Sequence, residues 1–349
     1  MAMILDDPDG GAAGGREGSA GVLSQRAVFP ASPSRAKPWL MTTILPDAAA
    51  TNWVDRHAPQ ALRPWLKLGR FDRPAGIWLL MLPGWQGIAL AGAEKGQWPN
   101  PLLLIAFFAG AALMRAAGCA FNDIIDRDFD AQVSRTALRP IPAGLITVKQ
   151  AWAFVIGCCL VSFLILVCLG WLAIGLGVLS LGLVAAYPFM KRITWWPQAW
   201  LGLTFNWGVL LGYAAATGRL SWTAALLYAS GIFWTLGYDT IYAVQDLEDD
   251  ALAGVKSSAR RLGDKAQYGV AGFYAASFVL AVAAAWMGNL GALFLPLAAL
   301  FAVHLSRQAA ALRLDDPAGA LKLFKSNTVA GLVLFLALVA GLWKPETRF

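Results

Sequence analysis

The chain has 349 residues, of which 58% are hydrophobic and 14% charged, and its mean hydropathy is +0.56. A water-soluble protein of this length has no need for so much apolar surface, so the composition argues for a nonpolar solvent around the chain. The formal net charge of +7 reads as membrane topology and attraction to anionic lipid rather than as a nucleic-acid footprint.

Residues 1–50 differ in kind from the rest. Asp6, Asp7 and Asp9 precede Gly11–Gly15 and a Ser/Ala/Pro-rich run, a composition with little to bury. No apolar run follows a basic start, which argues against a cleaved secretory signal, and the early acids argue against an organelle transit peptide. Met41 offers an alternative start within this extension, and 51–349 is read as the membrane domain. Residues 53–69 carry Trp53, Val54, Leu62, Trp65 and Leu66 among basic residues, which suits a helix lying on the inner interface.

About 20 apolar residues are needed to cross the hydrocarbon core. On that basis the crossings fall at 74–92, 101–121, 151–169, 171–189, 198–216, 222–243, 268–287, 290–305 and 328–343. The expected fold is all-α, a polytopic bundle of about nine transmembrane helices. Arg70, Asp72 and Arg73 precede Pro74, which fits the first turn of the first span. Arg115 lies inside the second span, seven residues before Asn122, and an intramembrane charge normally faces a cavity or a partner. With the N terminus in the cytoplasm, the inside loops hold Arg127, Arg135, Arg139 and Lys149, then Lys191 and Arg192. Further inside charges are Lys256, Arg260, Arg261, Lys265, Arg307, Arg313, Lys322 and Lys325, against only Lys95 and Arg219 in outside loops between spans. That asymmetry follows the positive-inside rule. Cys119, Cys158, Cys159 and Cys168 sit in apolar stretches and read as small buried hydrophobes, with no zinc-like spacing.

Two acidic clusters stand at helix ends on that same inner side. After the second span come Asn122, Asp123, Asp126 and Asp130, of which the first, third and fourth share one face if the helix continues. After the sixth come Asp239, Asp246 and Asp250, again on one helical face. Like charges at this spacing repel and are costly beside hydrocarbon. They are either solvated helix ends or ligands neutralised by a multivalent cation. Oxygen donors without nearby Cys or His point to Mg²⁺, or to Mn²⁺, and Mg²⁺ commonly shares its coordination with a substrate phosphate. Asn122, Asp126, Asp130, Asp246 and Asp250 are the candidate metal ligands, and a diphosphate fits between the clusters. Asn122, Arg139, Lys191 and Lys256 are candidate donors to its oxygens. Arg115, Arg70 and Arg73 are candidates for lining the cavity or binding an acceptor.

These residues resemble the UbiA superfamily of intramembrane prenyltransferases, in its 4-hydroxybenzoate polyprenyltransferase branch. The resemblance covers roughly residues 60–345. It is carried by Arg70-Phe71-Asp72-Arg73-Pro74, Asn122-Asp123-x-x-Asp126-x-x-x-Asp130, Arg135-x-x-x-Arg139-Pro140, Tyr187-Pro188-x-x-Lys191-Arg192 and Tyr238-Asp239-Thr240-x-Tyr242-Ala243-x-x-Asp246-x-x-x-Asp250. It implies nine helices around a central cavity, with both acidic motifs binding Mg²⁺ and a polyprenyl diphosphate. It also implies transfer of the prenyl group to the ring carbon ortho to the hydroxyl of 4-hydroxybenzoate, for ubiquinone biosynthesis, at the cytoplasmic side of the cell inner membrane. Asp123, Asp126, Asp130, Asp239, Asp246 and Asp250 are the implied catalytic acids, with the proton acceptor left open between Asp239 and another acid. Another aromatic or quinone-precursor acceptor, a membrane transporter, or a noncatalytic membrane scaffold are the competing readings.

Overall fold

The computed structural model describes residues 52–132, 136–247 and 254–344. The 1–50 extension, Arg135 and Asp250 lie outside the described residues, and of Lys191 only the backbone is described.

The segment expected as one interfacial helix forms two short ones, α1 (Trp53–His57) and α2 (Arg63–Leu68). Prolines cause the break. Ala58 precedes Pro59 and is extended, with ψ 142°, as a residue before proline prefers, and Pro64 occupies the first turn of α2. The pair is amphipathic as expected, with Val54 and Leu68 fully buried and Trp53 and Leu62 exposed. Lys67 bonds Asp55 at 2.8 Å, and the Trp53 indole donates to the Phe71 carbonyl at 2.7 Å, fixing this platform beneath the bundle.

Two long helices follow, α3 (Ala75–Glu94) and α4 (Pro101–Ile125), and then the single turn α5 (Arg127–Asp130). Next come α6 (Val148–Val167), α7 (Trp171–Ile193), α8 (Pro197–Thr217) and α9 (Trp222–Ala243). A short α10 (Ser258–Leu262) leads into α11 (Ala266–Met287), α12 (Phe294–Ala311) and α13 (Pro317–Ala340). Several helix starts carry side chains that satisfy free N–H groups. Asn100 caps α4 ahead of Pro101, Thr147 and Gln150 form a reciprocal capping box on α6, and Ser221 caps α9. The last helix begins well before the apolar window at 328. Asp316 caps it through the Gly319 N–H, and Lys322 and Lys325 had hidden its first turns from a hydropathy reading.

The protein is an all-α, multi-pass membrane bundle. Among the described residues seven helices, not nine, are long and apolar enough in themselves to cross a membrane. The two long helices outside that set are α8 and α9, which carry many buried residues and polar groups whose donors are paired within the bundle, although the Asn206 Oδ1 has no partner. The Asn206 amide donates to the Gly202 carbonyl at 2.9 Å and to the Thr235 hydroxyl at 2.7 Å, and Thr240 bonds Ser258 at 2.6 Å. Such paired groups lower hydropathy without exposing an unsatisfied donor to lipid.

Helices α3 and α8 cross with their backbones almost touching. A Cβ on Gly87 would overlap the Val209 carbonyl, and one on Gly212 the Gly84 carbonyl; small residues permit this approach where apolar burial gives no preference for helix over lipid. Conversely α6 and α7 turn Leu160, Leu164 and Leu179 outward. Trp98, Trp171, Trp222, Trp286 and Trp343 are exposed at helix ends remote from the acidic motifs, an interfacial belt. At that same end Glu94 accepts from Tyr213 at 2.6 Å and Thr223 at 2.5 Å, tying α3 to α8 and α9. Cys119 and Cys158 are buried as expected, but Cys168, at the end of α6, is exposed.

Candidate active site

The two acidic motifs come together at one large cavity of about 1450 Å³. Helix α4 does not continue through the first motif. It ends at Ile125, Asp126 stands at its C-cap, and α5 starts afresh at Arg127. The expected common face survives because the break preserves the hydrogen-bond spacing. The Asp126 N–H bonds the Asn122 carbonyl at 2.9 Å, and the Asp130 N–H bonds the Asp126 carbonyl at 2.7 Å. Asn122, Asp123, Asp126 and Asp130 all line the cavity. From the other wall come Asp239, near the end of α9, and Asp246, in the 3₁₀ turn Val244–Asp246 that follows it.

Arginines hold most of these acids. Arg70 reaches both oxygens of Asp123 from one Nη, at 2.7 and 2.9 Å, and both residues are buried. Burial disfavours the Arg70 charge, and Asp123 outweighs it, so the guanidinium grips its proton more firmly than an ordinary arginine. Arg70 sits in the left-handed region at φ 59°, where the chain swings from the α2 platform into α3. Arg139 bonds Asp130 at 2.7 Å and approaches Asp123 at 3.3 Å. Burial pushes the Asp130 carboxyl up, against the opposing pull of Arg139. Arg192 stands 3.7 Å from Asp126, and Arg73 bonds its neighbour Asp72 at 3.2 Å. Arg139, singled out as a phosphate donor, is therefore engaged with carboxylates. Lys256 lines the cavity and donates to the Ile193 carbonyl at 3.2 Å.

Below the acids the cavity turns apolar and runs along α6 and α7, past Ile156, Leu160, Phe163, Val178 and Leu181. Leu160 and Val178 among them are 59% and 52% exposed, so this stretch of the wall is not packed away inside the bundle. Sequence reasoning did not foresee the aromatic walls from outside the motifs. Phe205 and Phe324 line the cavity, and Phe324 packs on Tyr242 with ring centroids 4.6 Å apart. Nothing in the local sequence distinguishes these rings from the many others in the spans.

The profile of the UbiA prenyltransferase family matches residues 80–340. The chain belongs to the UbiA prenyltransferase family. Among its relatives in that family, the Homo sapiens mitochondrial 4-hydroxybenzoate polyprenyltransferase is 46% identical over 292 residues, 83% of this chain and 78% of that protein. The Aedes aegypti mitochondrial 4-hydroxybenzoate polyprenyltransferase is 45% identical over 307 residues, 85% of this chain and 69% of that protein. Among solved structures, the apo UbiA homolog from Aeropyrum pernix K1 superposes with a TM-score of 0.64 at 28% identity, covering 76% of this chain and 98% of that one. A UbiA homolog from Archaeoglobus fulgidus bound to GPP and Mg²⁺ shares the fold at a TM-score of 0.56 and 16% identity, over 79% of this chain and 99% of that one.

Whether this UbiA-family site suits a metal is a matter of its donors. Asp123, Asp126, Asp130, Asp239 and Asp246 offer oxygen alone, and no histidine lines the cavity among the described residues, a set that suits a hard cation. Among the described residues no three acids, cysteines or histidines stand together as a ready-made cage.

Proposed function

We infer that this chain transfers a polyprenyl group from a polyprenyl diphosphate to the ring carbon ortho to the hydroxyl of 4-hydroxybenzoate, releasing diphosphate, in ubiquinone biosynthesis. The observation that carries the reading is the cavity itself. A ring of carboxylates and arginines stands at its mouth, and an apolar trough lies below, which suits a substrate with an anionic head and a lipid tail.

Asn122, Asp126, Asp130 and Asp246 would hold Mg²⁺, with Asp250 of the second motif completing the set. When bound, the ion draws negative charge off the diphosphate and eases cleavage of the allylic C–O bond. Asn122, Lys191 and Lys256 are the proposed donors to the phosphate oxygens, and Arg139 joins them only by releasing Asp130, which it bonds at 2.7 Å. The acceptor ring carbon forms the new C–C bond and loses its proton to Asp239 or another acid near the cluster. The walls of α6 to α9 keep water from the allylic cation. Nine crossings, with α8 and α9 among them, and an active site on the cytoplasmic face of the inner membrane are the topology we propose. The positive-inside asymmetry supports it.

The test is to incubate purified protein with Mg²⁺, 4-hydroxybenzoate and a ladder of prenyl diphosphates and to identify products by mass. The expected product is the 3-prenyl adduct. Asp126→Asn and Asp246→Asn are expected to lower turnover by about 100-fold or more; near-full turnover in both across a Mg²⁺ titration would refute the carboxylate-metal assignment. Product with other phenols or quinone precursors but none with 4-hydroxybenzoate would reassign the acceptor.

A further inference from the structure

We propose that Phe324 is a catalytic residue for prenyl transfer, whose ring, packed against Tyr242 beside the second acidic motif, stabilises the allylic cation. This role rests on the prenyl-transfer reading and falls to a residue that neither acidic motif contains.

The demand comes from one carbon. Heterolysis of the allylic C–O bond leaves the bonding pair on the diphosphate and a positive charge spread over the allylic carbons. The charge persists until the acceptor ring carbon supplies the pair for the new C–C bond and gives up its proton. It therefore develops where the acidic mouth meets the apolar trough. A carboxylate at that point would attract the cation but also capture it as an ester, and water would capture it as an alcohol. An aromatic face attracts a cation within about 6 Å of the ring centroid, and the ring of phenylalanine has no lone pair with which to capture it.

Phe324 stands at that junction. Tyr242 lies three residues after Asp239 and four before Asp246, about one helical turn from each, and all three line the cavity. Helix α13 packs along the turn Val244–Asp246 and brings Phe324 to the same wall. Its ring centroid is 4.6 Å from that of Tyr242 and 5.8 Å from that of Tyr238, so three rings make one corner of the cavity. Phe324 is partly buried, and the corner is braced from behind. The fully buried Asn327 donates to the Leu323 carbonyl at 3.2 Å and the Phe324 carbonyl at 3.3 Å, and accepts from the Trp234 indole at 2.8 Å. Trp234 in turn stands edge-on to Tyr238 at 5.3 Å. A wall fixed before the charge appears needs no reorganisation when it does. Phe205, by contrast, already faces a resident cation in this cavity, the Arg115 guanidinium at 5.8 Å.

The experiment places phenylalanine analogues with one, two and three ring fluorines at position 324 of the full chain, alongside Phe324→Leu. Fluorine drains electron density from the ring face and nearly keeps its shape. With both substrates saturating and a single turnover observed, the rate of prenyl transfer is expected to fall at each added fluorine, by about tenfold across the series and at least as much in Phe324→Leu. Prenyl diphosphate KM should stay within about twofold and the melting midpoint of the fluorinated chains should not move, because a packing role does not depend on ring electrons. The fluorinated series keeps the proposal testable even if Phe324→Leu fails to fold. A rate that ignores fluorination, or a fall that tracks the melting midpoint rather than the number of fluorines, would overturn it. Failure of the intact chain to prenylate any acceptor would instead refute the proposed function, a result distinct from a flat fluorine series.

Discussion

At the residue scale, the buried pair Arg70–Asp123 shows how structure and site share the same groups. The two residues are 53 positions apart and join the interfacial platform to the first acidic motif, with Arg70 held at a positive φ of 59°. Removing Asp123 leaves Arg70 buried without the carboxylate that holds it, which costs about 3–5 kcal/mol, and removing Arg70 leaves Asp123 with only Arg139 at 3.3 Å, whereas removing both avoids the larger penalty. Arg70→Gln and Asp123→Asn are therefore expected each to lower the unfolding midpoint strongly. The double variant should be less destabilised than the sum of the two. Thermal unfolding in detergent checks this. Strict additivity would mean that the pair is not coupled, and that Asp123 acts at the site independently of Arg70.

At the element scale, the α3–α8 crossing sets the back of the cavity, because both helices contribute to its lining through residues such as Leu79 and Phe205. Its closeness depends on glycines whose missing Cβ atoms admit the facing carbonyls of Val209 and Gly84. Gly87→Ala and Gly212→Ala must push these backbones apart, and overpacking of this kind costs about 1–3 kcal/mol. Gly272→Ala, by contrast, meets nothing within 4 Å and replaces a poor helix former with a good one, so it should leave stability unchanged or raise it by about 1 kcal/mol. Melting midpoints of the three variants side by side would expose a wrong account of this crossing if all three moved together. A second polar tie locks the opposite wall. Asn327 accepts from the Trp234 indole at 2.8 Å and donates to Gln308 at 3.0 Å, and Gln308 accepts from Tyr274 at 2.7 Å. One amide pair thereby joins α9, α11, α12 and α13 behind Tyr238, whose ring stacks edge-on against Trp234.

At the scale of the whole molecule, what the sequence revealed depended on whether the relevant physics was local. Lipid-facing helices such as α6 were legible because every turn is apolar, and the acid spacing was legible because hydrogen bonding preserved it across the break at Asp126. The break itself was not, since neither proline nor glycine marks it. Nor were the pairings of Arg70 with Asp123 or Asn206 with Thr235, because helix packing and not spacing brings them together. On the proposed topology Lys149, at the start of α6, and Arg219 lie on opposite sides, so single cysteines at Lys149 and Arg219 in a cysteine-free background should be labelled from opposite sides of the membrane. Labelling of both from one side would overturn the proposed topology. We propose that the working domain starts at residue 51. Asn52 caps α1 by accepting from Asp55, and Trp53, Asp55 and Lys67 fasten the platform to the chain ahead of α3, whereas 1–50 has a composition with little to bury. Deleting residues 1–50 is accordingly expected to preserve membrane insertion, melting midpoint and prenyl transfer within about twofold. Deleting 1–69 also removes Val54 and Leu68, both fully buried, each worth about 1.5–3 kcal/mol of apolar burial. It cuts the chain immediately before Arg70 as well, so the longer deletion should lose both stability and turnover. Equal activity of the two truncations would show that α1 and α2 contribute nothing to the site, and loss of activity in the shorter one would place the start of the functional domain before residue 51.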